Sequence, residues 1–418
     1  MDIPQGYKQT ELGIIPEDWE IVNLGSVAKI NGRIGFRGYT TADLVGVGQG
    51  AYTIGGKHIT NMVLDLHDAE YISWQKYYES PEIMVRKGDI VFAQRGTLGK
   101  SAFIVNDIGP ATINPSLVLI NKIKCDNEYL SYWLQCDKIV EYICSINSQT
   151  SIPMITQNQI EHIPVVLSRI KAEQQAIAEA LGDIDGLIAT LDKKIAKKRR
   201  IKQGAMQQLL TGKKRLPGFS DPWVEKKFSD LYRYASEGGT PDTNNMRFYA
   251  NGDVPFVKIE DTETKYIESC NSFITSEGIN NSSAWIVPVN SIIYTNGATI
   301  GNVSINKIPV ATKQGILGII PSSIINLEFM YYLLLSQNFK REVDSRQAKG
   351  TFATIILKSL DEIPIYLPLN QMEQIAIATI LSDMDKEIAD LEAQRDKYRL
   401  LKSGMMQKLL TGQIRLTV

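Results

Sequence analysis

The sequence predicts an α+β fold: two globular domains separated by a pair of long antiparallel coiled-coil helices, organised as a pseudo-two-fold tandem duplication. Three observations predict it. Residues 173–216 and 373–416 align without gaps at an offset of 200, and 23 of the 44 positions are identical. Within both segments the apolar residues recur with a period of 3.5. The segments ahead of them hold short β-rich runs bounded by Gly, Asn and Pro, followed by helical patches.

The helices follow from the periodicity. In the first, Ile177, Leu181, Ile184, Ile188, Leu191 and Ile195 step by 4, 3, 4, 3 and 4. In the second, Ile377, Leu381, Met384, Ile388 and Leu391 repeat the pattern, and Tyr398, Met405 and Leu409 continue it. Such a narrow apolar seam serves one partner helix. Lys198 and Arg395 interrupt it, so the middle of the pair packs less tightly. Each helix closes at Leu-Leu-Thr-Gly, where Gly212 and Gly412 suit a left-handed C-terminal cap. About 37 residues at ~1.5 Å each make a rod of roughly 55 Å.

The repeat register continues upstream, where Ile163-Pro164 matches Ile363-Pro364 and Ala111-Thr112 matches Ala311-Thr312. Around Trp19 and Trp223 the offset becomes 204, as loops of different length require. Strand-like runs lie at 89–92 and 291–294, and helical patches at 128–142 and 327–343. The chain therefore divides into a globular domain (1–170), a long helix (171–212), a second globular domain (213–370) and a second long helix (371–418). Only a short linker, 213–222, separates the first helix from the second domain, so the second helix pairs with the first by running back along it. That places one domain at each end of a spacer.

Composition narrows the function. With 418 residues, 44% hydrophobic and 22% charged, the chain has ample material for several cores. A net charge of −1 excludes a globally basic nucleic-acid coat but leaves local basic surfaces open. Four cysteines without CxxC spacing and three histidines give neither a disulfide scaffold nor a zinc module. No apolar stretch approaches ~18 residues and the opening residues do not read as a secretory signal, so a cytoplasmic location without membrane attachment is expected.

Catalytic motifs are fragmentary. Gly99-Lys100-Ser101 ends like a phosphate-binding loop, but Gln94 stands where its first glycine belongs. Asn114-Pro115-Ser116-Leu117 lacks the aromatic residue of an amino-methyltransferase signature. Asp242 with Glu263-Thr264-Lys265 formally fits a metal-nuclease pattern, but the segment between is polar and the first half has no equivalent. His58, His67 and His162 suggest neither a triad nor a metal site. No catalytic residue and no metal ligand is assigned, and a recognition subunit fits better than an enzyme.

Recognition chemistry is better represented. Ten basic residues and no acidic one lie between Lys193 and Arg215. They form either a solvated face of the coiled coil or a strip facing phosphates or a partner. Polar and basic residues also cluster in Gly-rich loops at corresponding places in both halves. The DNA-binding candidates in the first are Arg33, Arg37, Tyr39, Lys57, His58, Arg95 and Gln149; in the second they are Arg247, Lys258, Asn296, Lys313, Gln314, Arg346 and Lys349. Arg, Lys, Asn and Gln can pair with base edges or hold phosphates.

These features together resemble the DNA-specificity subunit of type I restriction–modification enzymes. The variable segments open near Trp19-Glu20 and Trp223-Val224 and lead into strands at 88–91 and 290–293. Turns with a following glycine come next (Gly96/Gly99; Gly297/Gly301), then Ile-Pro before Glu-Gln (Glu173-Gln174; Glu373-Gln374), then the helix ending Leu-Leu-Thr-Gly. One departure is that Ser168 stands where the second copy has Pro368, which bears on where the first helix starts. The resemblance implies that each globular domain is a target-recognition domain reading half of a bipartite double-stranded DNA sequence. It implies that the helices set the unread gap and dock two methyltransferase subunits, with S-adenosylmethionine bound there. Restriction subunits would supply ATP- and Mg-dependent cleavage, leaving this chain without a cofactor. The alternatives are a protein-binding coiled-coil scaffold and a stand-alone Mg-dependent nuclease.

Overall fold

The computed structural model describes residues 3–60, 62–146, 153–297, 299–347 and 354–416. The chain forms two compact units, Met1–Leu191 with Gln394–Val418, and Asp192–Ala393. Each unit therefore takes one globular domain plus a piece of both long helices, a division that the linear order of segments does not announce.

In unit one, strands Ser101–Phe103, Ile90–Ala93, Leu117–Asn121 and Lys29–Gly32 make an antiparallel sheet in that order. Side chains of a strand alternate between faces, and here both faces are covered. Ile90, Phe92, Val118 and Ile120 point into a core with Tyr129, Trp133 and Ile163. Val91, Ala93, Leu117 and Leu119 point into a second core against the other sheet. That is why Ile90–Ala93 is apolar at every position rather than at every second one. The other sheet runs Ala111–Ile113, Gly50–Ile54, Glu70–Ser73, Leu44–Val45. Its first two strands are parallel, with Thr112 opposite Thr53.

Unit two repeats the plan. Tyr232–Glu237, Ile316–Pro321, Ile292–Thr295, Val303–Asn306 and Tyr266–Ile267 form one sheet. Phe273–Ile274, Val254–Val257, Val310–Thr312 and Ile286–Val287 form the other. Val254–Val257 and Val310–Thr312 are parallel, with Val257 opposite Thr312.

The long helices run Lys171–Leu209 and Gln371–Leu409, starting and ending at equivalent positions. Replacement of proline by Ser168 leaves the start unshifted, because Ser168 Oγ accepts the Ile170 N–H and donates to Glu173. Gly212 and Gly412 both have φ of +68°, and the Lys214 and Ile414 amides reach back to the Gln208 and Lys408 carbonyls at 3.1 Å. This six-residue closure satisfies carbonyls that would otherwise be orphaned at the helix end.

The seam residues divide between two jobs. Ile177 and Leu181 belong to the core of unit one together with Leu409 and Leu410. Ile377 and Leu381 belong to the core of unit two with Leu209 and Leu210. Ile184, Leu191, Ile195, Ile388 and Leu391 are buried as well, whereas Ile188, Met384 and Met405 are half-buried. The pairing is antiparallel inside each unit: Asp185 meets Lys402 and Glu173 meets Arg415 in unit one, while Asp385 meets Lys202 and Glu373 meets Arg215 in unit two. Every partner number is displaced by 200, so each unit is completed by the helix end of the other repeat.

Among the described residues no helix is long and apolar enough to cross a membrane.

Candidate nucleic-acid interface

Each unit has a cleft at the same topological place, beyond the C-terminal ends of its parallel strand pair. In unit one the strands end at Ile54 and Ile113, and the cleft of about 410 Å³ is lined by Thr53, Gly55, Gly56, Lys57 and His58 from the first and by Asn114 and Ser116 from the second. The turn after Ile90–Ala93 adds Arg95, Gly96, Thr97 and Lys100, and Tyr39 and Glu70 complete it. In unit two the first residues after the parallel strands are Lys258 and Lys313, and both line a cleft of about 350 Å³ with Thr240, Thr243, Tyr249, Phe256, Ser272 and Phe273.

The walls of cleft one are pinned by side chains. Asn114 Oδ1 accepts the Ser116 amide at 2.9 Å and its hydroxyl at 2.5 Å, closing the Asn-Pro-Ser turn on itself. A Cβ at position 55 would meet Asn114 Nδ2 at 2.6 Å, so a larger residue there would displace the Asn114 side chain from this arrangement. His58 is buried, and its Nδ1 accepts the Gly55 amide at 2.9 Å, which leaves the ring proton on Nε2, 3.4 Å from Asp68 Oδ1. Burial and the adjacent Lys57 depress its pKa, so the imidazole is neutral at neutral pH. Thr53 Oγ1 is buried without a hydrogen-bond partner among the described residues. Lys57 reaches Asp68 at 3.2 Å, while Arg95 and Lys100 are exposed at the cleft.

Four of the sequence candidates, Tyr39, Lys57, His58 and Arg95, are thus brought together in cleft one, and Lys258 and Lys313 in cleft two. Arg33 has a different role. It is buried, donates from Nε to the Ile113 carbonyl at 3.1 Å and from Nη2 to Thr112 Oγ1 at 2.9 Å, and lies over the Tyr39 ring. It holds Tyr39 against the parallel pair. Arg37 sits 3.6 Å from Glu82. Asn296 is buried and donates to the Ile355 carbonyl at 3.1 Å. Arg346 turns back to Glu342 on its own helix. Arg247 and Gln314 are exposed outside cleft two. Gln149 and Lys349 lie outside the described residues.

Lys100, Asn114 and Ser116 in cleft one stood out in the sequence only as fragments of catalytic motifs, and Thr53 in cleft one with Phe256, Ser272 and Phe273 in cleft two were not singled out at all. Pairing of Thr53 with Thr112 joins segments about sixty positions apart, and no local pattern reports it. The fragments resembling catalytic motifs resolve into structure. Gly99-Lys100-Ser101 leads into a strand, Ser101–Phe103, where a phosphate loop leads into a helix. Lys265 is bound to Glu328 at 2.7 Å and to the Tyr332 hydroxyl at 3.0 Å, and Asp242 accepts the Asn244 amide in a turn.

The basic run after Lys193 also resolves. Lys198, Arg199, Lys202 and Arg215 pair with Glu387, Glu392, Asp385 and Glu373, all within unit two. Lys193, Lys194, Lys197 and Arg200 remain exposed.

Two further constants anchor the frame. Trp19 Nε1 donates to Glu173 at 3.2 Å, and Trp223 Nε1 to Glu373 at 3.3 Å. Gln174 donates to the Ser168 carbonyl and accepts the Asp126 amide; Gln374 does the same with Pro368 and Asn326. The Glu-Gln pair of each repeat is therefore a joint between domain and helix.

The family model of the type I restriction modification DNA specificity domain matches twice, at residues 16–198 and 220–398. The chain belongs to this family. A putative type I restriction enzyme specificity subunit, MjaX, of Methanocaldococcus jannaschii is 26% identical over 98% of this chain and 97% of its own length. The EcoR124I/EcoR124II specificity subunit of Escherichia coli is 26% identical over 62% of this chain and 63% of its own. The solved S subunit of a type I restriction–modification system from M. genitalium superposes with a TM-score of 0.57 at 15% identity, covering 98% of each chain. A chain from a type I system solved for its complex assembly and conformational transition gives a TM-score of 0.61 at 17% identity, over 96% of this chain and 99% of that one. Both solved structures share the fold of this specificity-family chain.

Proposed function

We propose that this chain is the sequence-specific DNA-binding subunit of a type I restriction–modification complex, each globular domain reading half of a bipartite target through the cleft at the ends of its parallel strands. One observation carries the reading: the two units keep the same frame and joints but line the same cleft with different side chains. Cleft one offers hydrogen-bonding groups and cations, namely His58, Arg95, Lys100, Asn114 and Ser116. Cleft two offers aromatic faces with Lys258 and Lys313. A constant frame with divergent linings suits two readers of different sequences better than one repeated binding function. Lysine and arginine neutralise phosphates and position the duplex, while a few side chains discriminate base edges.

In this reading the long helices set the unread gap and dock two methyltransferase subunits. Methyl transfer from S-adenosylmethionine and ATP- and Mg-dependent cleavage belong to those and to restriction subunits, and no catalytic step falls to this chain. The test is to co-express the chain with its neighbouring methyltransferase gene and map adenine methylation across the host genome. A split motif with a fixed gap, lost when this chain is omitted, is the expected result. An assembled complex that binds DNA without sequence preference, or not at all, overturns the reading in favour of a protein scaffold.

A further inference from the structure

We infer that Lys193, Lys194, Lys197 and Arg200 form a stripe that holds phosphates of the unread DNA between the two half-sites; this rests on the bipartite reading above. Three observations carry it. First, the acidic residues of the paired helix select which cations they neutralise. Lys198, Arg199 and Lys202 flank the seam and are bound by Glu387, Glu392 and Asp385, whereas the four residues of the stripe are exposed and none makes an ion pair among the described residues. Second, at about 100° per residue the four fall within an arc of roughly 120°, on the side of the helix opposite Leu191 and Ile195. No acidic residue occurs between 193 and 215 to shield them.

Third, the duplication provides an internal control. The equivalent positions of the second helix are Ala393, Gln394, Lys397 and Leu400, so helix pairing does not require the charges. This contrast also chooses the ligand. Protein interface cores are depleted in lysine and enriched in apolar residues, a description closer to the equivalent stripe, where Leu400 is 77% exposed. Ile201 falls on the same arc and is 47% exposed, but its counterpart Leu401 is 49% exposed, so this apolar residue is common to both helices and the added cations are what differs, as a phosphate backbone requires. The stripe spans about 10 Å at ~1.5 Å per residue, which faces on the order of three phosphates of one strand at ~3.4 Å of axis each. It lies on the helix that joins the two recognition domains in the chain, and because the bipartite reading gives that helix the spacer role, the gap is the DNA proposed for it.

The experiment compares the full chain, assembled with its methyltransferase, against the quadruple variant K193Q/K194Q/K197Q/R200Q on duplex DNA carrying the mapped target. Binding is measured across a series of salt concentrations. Each phosphate contact contributes about 0.9 to the slope of log affinity against log salt, so the variant is expected to lose about 2–4 from the slope. It should bind roughly 10- to 1000-fold more weakly at low salt and keep the same methylation motif. An unchanged slope and affinity would make the stripe a solvated face and overturn the inference. Loss of methyltransferase co-elution would overturn it in favour of a protein-docking surface. Wild-type binding without preference for the split target removes the bipartite reading and with it the gap as the stripe's place, and the slope comparison then decides only whether the stripe holds phosphates. A wild-type assembly that binds no DNA overturns both.

Discussion

Arg415 grips Glu173 with two nitrogens, at 2.5 and 2.9 Å, although the two residues stand 242 positions apart. Arg215 grips Glu373 in the same way at 2.6 and 2.8 Å. Each arginine follows the Leu-Leu-Thr-Gly of one repeat, and each glutamate opens the long helix of the other. The carboxylate also takes a tryptophan N–H in both cases, so a domain, its helix and the returning helix end share one acceptor.

Arg415→Ala should therefore destabilise unit one, and Arg215→Ala unit two. The Glu173 side chain is 2% exposed and the Arg415 side chain 35% exposed. For Arg415→Ala the loss should be about 2–3 kcal/mol, below the cost of breaking a fully buried pair because Arg415 keeps some solvent. Thermal or urea unfolding measures it, a change under ~0.5 kcal/mol in Arg415→Ala would refute the joint, and Arg215→Ala should shift in the same direction.

The same joint confers acid sensitivity. Burial pushes the Glu173 carboxyl up, but hydrogen bonds from Arg415, Ser168 and Trp19 more than offset this and hold it below its usual 4.5. A depressed folded-state pKa contributes stability that is present above the unfolded value and is lost as pH falls through the folded one. Unit one should hold its contribution down to about pH 4.5 and lose it below. In Glu173→Gln that part of the acid dependence should disappear, as a stability profile from pH 6 to pH 3 would show.

Glu128 and Glu328 occupy equivalent places with opposite consequences. Glu328 meets Lys265 at 2.7 Å, whereas the carboxyl of Glu128 is raised by burial and by Asp126, Asp185 and Glu179. A raised carboxyl pKa means stability that is complete below the unfolded value and lost as pH rises through the folded one. Glu128→Gln should then raise the melting temperature at pH 7 by about 2 °C, with the gain vanishing in acid. Glu328→Gln should lower it. Equal shifts of the same sign in both variants would contradict the account.

Thiol reactivity should be selective. Burial pushes Cys125 and Cys136 up to about 11 and Cys270 up to about 12, and Cys144 is exposed. At neutral pH the folded protein should react with a thiol reagent at one site, and the unfolded protein at four, the number in the sequence. Rapid modification of Cys125, Cys136 or Cys270 would show that the cores open.

The clefts make separable predictions. Arg95→Ala with Lys100→Ala should weaken binding or relax specificity only at the half-site read by the first domain, by about 1–3 kcal/mol at a base contact. Lys258→Ala with Lys313→Ala should act only on the other half. Methylation maps of both double variants check this, and changes in both halves at once would overturn the assignment of one cleft to one half-site.

The long helices, their seams and their glycine caps were legible in the sequence because each depends on neighbours within a turn or two, and the 200-residue repeat made them visible twice. The strands of the sheet centres were legible for a related reason, since a run such as Ile90–Ala93 is apolar on both faces only when both are covered. Tertiary structure alone decided what the polar residues do. Arg33 and Arg95 are the same residue type in similar Gly-rich loops, yet one is spent on the Ile113 carbonyl and Thr112 while the other is exposed at a cleft. Likewise Lys197 and Lys198 are neighbours in one basic run, and only the position of Glu387 on the returning helix separates the free cation from the paired one. Local periodicity encodes elements; the partner of a charge is encoded only where distant segments meet.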